Sequence, residues 1–498
     1  MMDTILTLLT PSTILFAFLG LFVGMATGVL PGFGPSGAMG ILFPMTFYMA
    51  PHEALIVLFA IYYGSQYGDN IAATTMRIAH GSSIVICQDG YAMAKQGKAG
   101  KALAIGAIST LVAGLTSLAM VSVIASPVSE LALNFGSPEY AVIIFSGIVL
   151  AIVGQREYRL SSSLAGAGLG LALGYIGTDL VTGESRWTMG IDYLADGIPL
   201  TLFVVGVFGI SEVINQLSSV GCRPYLPKQD EVTISRAEFK KLIPSVARGT
   251  MLGGIIGLLP GGGSIWASFA SHGLEKSLSQ EHGPAVAGPS AASEAAANTG
   301  LIPLLCFGIP ENAAMAVLFS ALMVHGFQPG PSFINNNPDM ITLLISSAVI
   351  GNVLLAISNI FGISFWIKLL QIPKTILYSS ITALCLFGAY SARGNPYDVV
   401  LCVMLGILGW ACNRAKISIL AVSIGFILGP MLLDKFHKSM LISNGSIDIF
   451  ITRPLSMGIL AGLGCILLCI AVAPYLQNIV RRNSGINIFL RVTKKEKL

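Results

Sequence analysis

Apolar runs separated by short polar loops recur from one end of the chain to the other. Runs over 5–27, 53–68, 101–126, 139–154, 161–176, 198–217, 341–367, 376–392, 398–412, 416–433 and 455–477 contain almost no charge. A bilayer-spanning helix needs roughly 20 mostly apolar residues, and these runs are close to that length or beyond it. The stretches 28–50, 69–88 and 250–325 are as apolar but are broken by Gly, Pro and Asn. They read as a mixture of spans and interrupted helices, because opened backbone at membrane depth is tolerated only inside protein or against water. The pattern predicts about 12 crossings and leaves no room for a soluble domain of ordinary size.

The charged loops between these runs give an orientation. Lys95, Lys98 and Lys101 sit in 88–101, and Arg156 and Arg159 in 155–159. Arg223, Lys228, Arg236, Lys240, Lys241 and Arg248 sit in 218–249. Arg481, Arg482, Arg491, Lys494, Lys495 and Lys497 sit in the tail. Loops rich in Lys and Arg stay on the cytoplasmic side, so all four, and with them the C-terminus, are expected there. The stretch 177–197, with Asp179, Glu184, Asp192 and Asp196 against Arg186, is expected outside. The loop 434–454, with Lys435, Lys438 and Arg453, runs mildly against this alternation.

A repeat divides the chain. Gly28-Val-Leu-Pro31-Gly32-Phe-Gly34 returns 229 residues later as Gly257-Leu-Leu-Pro260-Gly261-Gly262-Gly263. At nearly the same offset the lysine-rich loop 95–100 corresponds to 325–330, which has no Lys or Arg. Equivalent loops of opposite charge character point to opposite sides of the membrane, the mark of inverted-topology repeats. The expected architecture is therefore an all-α polytopic membrane protein in two inverted-topology repeats, with broken helices or re-entrant hairpins. The first repeat is 1–217, a cytoplasmic linker is 218–249, the second repeat is 250–477, and 478–498 is a basic cytoplasmic tail.

Composition narrows the function class. Hydrophobic residues make up 54% and charged residues 10%, against about a quarter charged in soluble domains. The net charge of +4 lies in loops and tail, so it speaks of topology and not of nucleic acid. The eight cysteines show no CxxC pair, and Cys465 and Cys469 lie in an apolar run as packing residues. The six histidines have no metal-ligand spacing, and no phosphate-binding G-x-x-x-x-G-K-[ST] loop is present. No catalytic constellation emerges, so an enzyme is not expected. Asp3 and the lack of a basic leader speak against a cleaved signal peptide.

The breaks carry the candidate chemistry. Pro31 and Pro35 cannot continue a helix, and the segment Pro31, Gly32, Gly34, Pro35, Ser36 is followed by an apolar run. A half-helix restarting there presents free N–H groups to an anion, and glycines let it come close. Pro260, Gly261, Gly262, Gly263 and Ser264 repeat the arrangement. A carboxylate substrate suits both; a kink without a ligand is the alternative. A second pair of breaks lies at Arg77-Ile-Ala-His80-Gly-Ser82-Ser83 and Gly308-Ile-Pro310-Glu311-Asn312. Ser82 and Ser83 are hydroxyl donors, and Arg77 either pairs with a substrate carboxylate or snorkels to an interface. Glu311 and His80 are titratable and stand as proton carriers, while Asn312 suits a cation. Glu294 and Asn298, four apart in a small-residue helix, share one face. Asp69 and Asn70 hold the corresponding place in the first half. These six, Asn312, Glu311, Asn298, Glu294, Asp69 and Asn70, form the candidate cation-coupling set. Na⁺ is the metal ion this set suits, with H⁺ as the other coupling ion and no further cofactor.

Taken in order, several segments resemble the TctA family, the large membrane subunit of tripartite tricarboxylate transporters. They are GVLPGFGPSGAMGILFPMTF at 28–47, IYYGSQYG at 61–68, DGYAMAKQGKAGKALAIGAI at 89–108 and FGSPEY at 135–140. They continue with GTDLVTGESRWTMG at 177–190, GLLPGGGSIWASFASHGLEK at 257–276 and SEAAANTGLIPLLCFGIPENAAMAVLFSALMVHGFQPGP at 293–331. The likeness runs over about residues 15 to 475 and closes with GAYSARGNPYDV and LGPMLLDKF. The resemblance implies secondary uptake of a tricarboxylate or dicarboxylate across the bacterial inner membrane, driven by Na⁺ or H⁺. It implies two partners, a small membrane subunit and a periplasmic solute-binding protein that delivers the substrate. Two departures fall at the second breaks: Ile78, Ala79 and His80 stand where the family shows Pro-Gly-Glu, and Glu311-Asn312 stands where it shows Gly-Ser. A stand-alone organic-anion symporter, and a channel or structural scaffold, are the alternative readings.

Overall fold

The computed structural model describes residues 11–29, 34–76, 81–154, 158–178, 185–218, 234–259, 263–279, 281–369 and 374–468. The first-half segments Pro31 and Gly32, with Arg77 and His80, lie outside the described residues, as do Pro260, Gly261 and Gly262.

The first half runs α1 (Pro11–Val29), α2 (Pro35–Leu42), a 3₁₀ turn Phe43–Tyr48, α3 (Pro51–Met76), α4 (Ser83–Lys95) and α5 (Ala99–Leu133). It continues through α6 (Ser137–Gly154), α7 (Leu160–Gly174), α8 (Leu200–Val204), a π-helical turn Val205–Ile210 and α9 (Ser211–Ser218). The second half runs α10 (Arg236–Ile256), α11 (Gly263–Leu278), α12 (His282–Thr299), α13 (Leu301–Phe307), α14 (Ala313–Val324), α15 (Pro331–Asn336) and α16 (Pro338–Leu369). Then come α17 (Lys374–Arg393), α18 (Pro396–Arg414), α19 (Ile419–Ile442), α20 (Ile449–Thr452) and α21 (Pro454–Leu468).

Among the described residues, four helical stretches are long and apolar enough to cross a membrane: Ala99–Leu131, Pro338–Asn359, Pro396–Arg414 and Ile419–Ile442. Six shorter apolar helices accompany them. Exposed side chains such as Phe18, Val123, Phe145, Val400 and Met404 are apolar, as a lipid-facing surface requires.

The tightest packing is made by glycines. On α1, a Cβ at Gly20, Gly24 or Gly28 would stand 2.6, 2.4 and 2.1 Å from the carbonyl oxygens of Val57, Ile61 and Ser65 on α3. On α10, a Cβ at Gly249, Gly253 or Gly257 would stand 2.2, 2.2 and 2.4 Å from those of Gly288, Ala292 and Ala296 on α12. Small residues every fourth position let backbones touch, which is how helices associate where burial of apolar surface supplies no drive. All six glycines match pairwise at the 229-residue offset.

Helix α12 is buried on every side from Ala285 to Thr299, which makes it the centre of the bundle. Three features differ from the sequence pattern. Helix α3 continues through Asp69 and Asn70 to Met76 without a break. Helix α10 begins at Arg236, well inside the stretch expected as linker, on a Ser235–Glu238 capping box. A two-residue antiparallel ladder, β1 (Gly177–Thr178) with β2 (Ser185–Arg186), sits in the acidic loop of an otherwise helical chain.

Candidate functional site

Helix α11 starts at Gly263, directly after the second-half Pro-Gly break. Its first N–H groups have no acceptor within the helix. Three breaks converge on this start. From the first half come Gly81, whose Cβ direction points at Ile265 3.7 Å away, and Ser82, whose carbonyl accepts from Ser268 Oγ at 2.7 Å. From the second half comes the turn at Glu311 and Asn312 that precedes α14.

Gly308 takes a left-handed φ of 71° and ends α13, so the chain leaves the helix just before this turn. Asn312 caps α14 by accepting from Met315 N at 2.9 Å. That bond fixes its amide, whose Nδ2 then donates to Glu311 Oε1 at 2.8 Å and to Tyr62 OH at 3.2 Å. Ser264 Oγ, at the start of α11, lies 3.5 Å from the same carboxylate oxygen. Glu311 is fully buried, and among the described residues its Oε2 has no hydrogen-bond partner. This oxygen lies 2.6 Å from where a Cβ on Gly263 would be and 2.8 Å from where one on Gly300 would be. Only glycines leave room for the carboxylate there.

A second set of polar contacts joins α3 to α12. Tyr63 OH donates to Asn298 Oδ1. Asn298 Nδ2 donates to Ser117 Oγ at 2.8 Å, and Gln66 Nε2 to Ser293 Oγ at 2.8 Å. Glu294 is buried with Oε1 unpartnered among the described residues. In the first half Asp69 is buried and accepts from Ser83 Oγ at 2.5 Å, while Asn70 is buried beside it. Gly34, Pro35 and Ser36 are half-buried at the start of α2. A Cβ on Gly37, next in line, would stand 3.4 Å from the Cγ of Glu212 on α9.

The structure thus brings Gly263, Ser264, Glu311 and Asn312 together, with Ser82 against Ser268 further along α11 and with Glu294 and Asn298 on α12. Asp69 and Ser83 form their own pair in the first half. Tyr62, Tyr63, Gln66, Ser117 and Ser268 join the polar interior although none had been singled out. A tyrosine or serine inside an apolar run carries no mark of this kind until its distant partner is in place.

A further cluster ties the halves where α4 meets α11 and α12. The buried Asp89 carboxylate meets His272 Nε2 at 2.8 Å, Lys276 Nζ at 2.6 Å and His282 Nδ1 at 2.5 Å. Beside it, buried Glu275 accepts from Arg248 Nη2 at 2.8 Å and Ser245 Oγ at 2.7 Å.

The family described as "Tripartite tricarboxylate transporter TctA family" matches residues 14–424. The "Uncharacterized 52.8 kDa protein in TAR-I ttuC' 3'region" of Agrobacterium vitis is 39% identical over 482 residues, covering 95% of either chain. The "Uncharacterized protein in TAR-II ttuC' 3'region" of the same organism is 39% identical over 233 residues, which is 45% of this chain and 96% of that protein. No solved structure matches. With a family match over most of its length and a relative aligned almost end to end, the chain belongs to the TctA family of tripartite tricarboxylate transporters, as a membrane-embedded transport protein.

Proposed function

We propose that the chain imports a carboxylate across the inner membrane by secondary transport, with Na⁺ or H⁺ moving in the same direction. Substrate arrives from a periplasmic solute-binding protein, and a small membrane subunit completes the system. The two halves act as inverted repeats whose broken helices meet near the membrane midplane, and the basic tail lies in the cytoplasm. The observation that carries this reading is the meeting of three breaks at the start of α11.

Free N–H groups at the starts of α2 and α11 attract the substrate anion, and Ser36, Ser82 and Ser264 add hydroxyl donors. Glu311, Asn312, Asn298, Glu294, Asp69 and Asn70 supply the acidic and amide oxygens that a cation or a proton needs. Co-reconstitution with the two partners, followed by carboxylate-dependent ²²Na⁺ or proton flux, tests the reading. Flux that follows the ion gradient supports it. Carboxylate permeation indifferent to any ion gradient would favour a channel, and uptake without the binding protein would favour a stand-alone symporter.

A further inference from the structure

We infer that Tyr62 is a further substrate-binding residue, whose phenol O–H donates to the substrate carboxylate at the start of α11, and that Asn312 is the positioning residue that makes it a donor. The inference rests on the carboxylate-transport reading above and adds a residue to the same site.

Three tyrosines follow one another closely on α3, and two have visible tasks. Tyr63 OH donates to Asn298 Oδ1, and Tyr67 OH donates to the Leu103 carbonyl at 3.0 Å. Tyr62 is as buried as they are, yet among the described residues its hydroxyl only accepts, from Asn312 Nδ2 at 3.2 Å. That direction is forced. Asn312 Oδ1 is taken by Met315 N at the start of α14, so the amide meets Tyr62 with its NH₂. The phenol hydrogen is left without an acceptor among the described residues. Glu311 Oε2 does not take it, having no partner there either. A buried donor left unpaired is costly, and a ligand oxygen removes that cost.

The place suits an anion. The Asn312 amide that meets Tyr62 also donates to Glu311 Oε1 at 2.8 Å, and Ser264 Oγ lies 3.5 Å from that oxygen. Tyr62 therefore stands near the start of α11, where helix N–H groups and Ser264 face the substrate. The bonds behind Tyr62 strengthen it as a donor. They begin at the positive N-terminus of α14, a helix of 12 residues, and pass through the Asn312 amide to the phenol oxygen. Each bond in such a chain polarises the next, and a carboxylate completes it. At the repeat offset Tyr62 corresponds to Ala291, so the second half has no counterpart.

The test measures uptake of labelled acetate, succinate and tricarballylate by the full chain co-reconstituted with its partners. It compares wild type with Tyr62→Phe, Asn312→Ser and Ser264→Ala. Phenylalanine keeps the ring and removes the O–H. For the acid that wild type takes up, Tyr62→Phe should raise the half-saturating concentration by about tenfold, as loss of a hydrogen bond to a charged group does. It should also shrink the rise in melting temperature that a saturating amount of that acid produces in detergent. Asn312→Ser keeps a cap on α14 but removes the amide that orients Tyr62, and should raise the half-saturating concentration by a smaller factor. A structural tyrosine would instead lower the melting temperature and leave the half-saturating concentration as in wild type, which overturns the inference. If Tyr62→Phe does not fold, Asn312→Ser decides, and wild-type affinity there overturns it. Weakened affinity in Ser264→Ala beside wild-type affinity in Tyr62→Phe overturns the inference and leaves the carboxylate reading intact. A wild type that takes up none of the three acids overturns both.

Discussion

Helix pairs α1/α3 and α10/α12 are packed by one device and filled with different chemistry. In each pair three glycines spaced by four residues press one helix onto the carbonyls of the other. Between the pairs, polar positions at the same offset have diverged. Asp69 corresponds to Asn298, Ser65 to Glu294, and Ser82 to Glu311. The first half satisfies its acid locally, through Ser83. The second half reaches across to Tyr62, Tyr63 and Ser117, and keeps two buried carboxylates with an unpartnered oxygen among the described residues. Backbone contact tolerates no added atom, so the scaffold is held constant, while side chains aimed into the interior can change one at a time.

Breaking the shared device should have the largest effect. Gly24→Val and Gly253→Val place a Cβ 2.4 and 2.2 Å from a facing carbonyl oxygen. Each should cost about 3 kcal/mol or more, because overpacking against backbone cannot be relieved by a rotamer change. Thermal unfolding in detergent measures it. Gly351→Ala, where among the described residues an added Cβ would meet no atom within 4 Å beyond its own helix backbone, should be neutral or slightly stabilising in the same assay.

Next in size is the tie between the halves. Asp89→Ala leaves Lys276, His272 and His282 without their shared carboxylate, and removing one partner of a buried ion pair costs about 3–5 kcal/mol. Lys276 is partly exposed, so the lower end is expected by chemical or thermal unfolding.

Matched substitutions sharpen the contrast between halves. Asn298→Ala strands Tyr63 OH, while Ser117 Oγ keeps its bond to the Ala113 carbonyl, and should destabilise by about 1–3 kcal/mol. Ser83→Ala removes one donor from Asp69 and should cost about 1 kcal/mol. Equal losses in a side-by-side melt would contradict the claim that the second half carries the more connected polar interior.

The smallest effect is at the surface. Lys101 beside Glu238, followed by the Ser235 cap, holds the Glu238 carboxyl down from 4.5 to about 2. A depressed carboxyl contributes stability above 4.5 and loses that contribution as pH falls toward about 2. Glu238→Gln should remove this part of the acid dependence with little change at neutral pH, as expected of an exposed pair. Melting curves of wild type and variant should differ at pH 6 by no more than about a degree and converge further in acid.

The breaks were legible because proline and glycine announce them. The glycine ladder was not read, because Gly28 and Gly257 stood out as parts of the breaks and the GxxxG spacing behind them became meaningful only once the facing carbonyls were in place. The continuity of α3 through Asp69 and Asn70 was not, because an acid and an amide in an apolar run look like a break until Ser83 is seen to donate to the acid. The start of α10 was marked by Ser235 and Glu238, but the surrounding basic residues made the stretch read as a loop. The aromatic and hydroxyl members of the interior were hidden for another reason. Tyr63 meets Asn298 across 235 residues, and no local pattern encodes such a pairing.

The convergence of breaks at the start of α11 is tested most directly by gradient-driven uptake of a labelled carboxylate through wild type, Ser82→Ala and Ser264→Ala. Loss of a hydroxyl that donates to a charged group costs about 1.5–3 kcal/mol, or roughly tenfold and upward in affinity. We expect wild-type uptake to collapse when an ionophore dissipates the gradient, and both folded variants to raise the substrate concentration for half-maximal uptake by about tenfold. Wild-type uptake that ignores the ionophore, or two variants that transport with wild-type affinity, would contradict a carboxylate site at this junction.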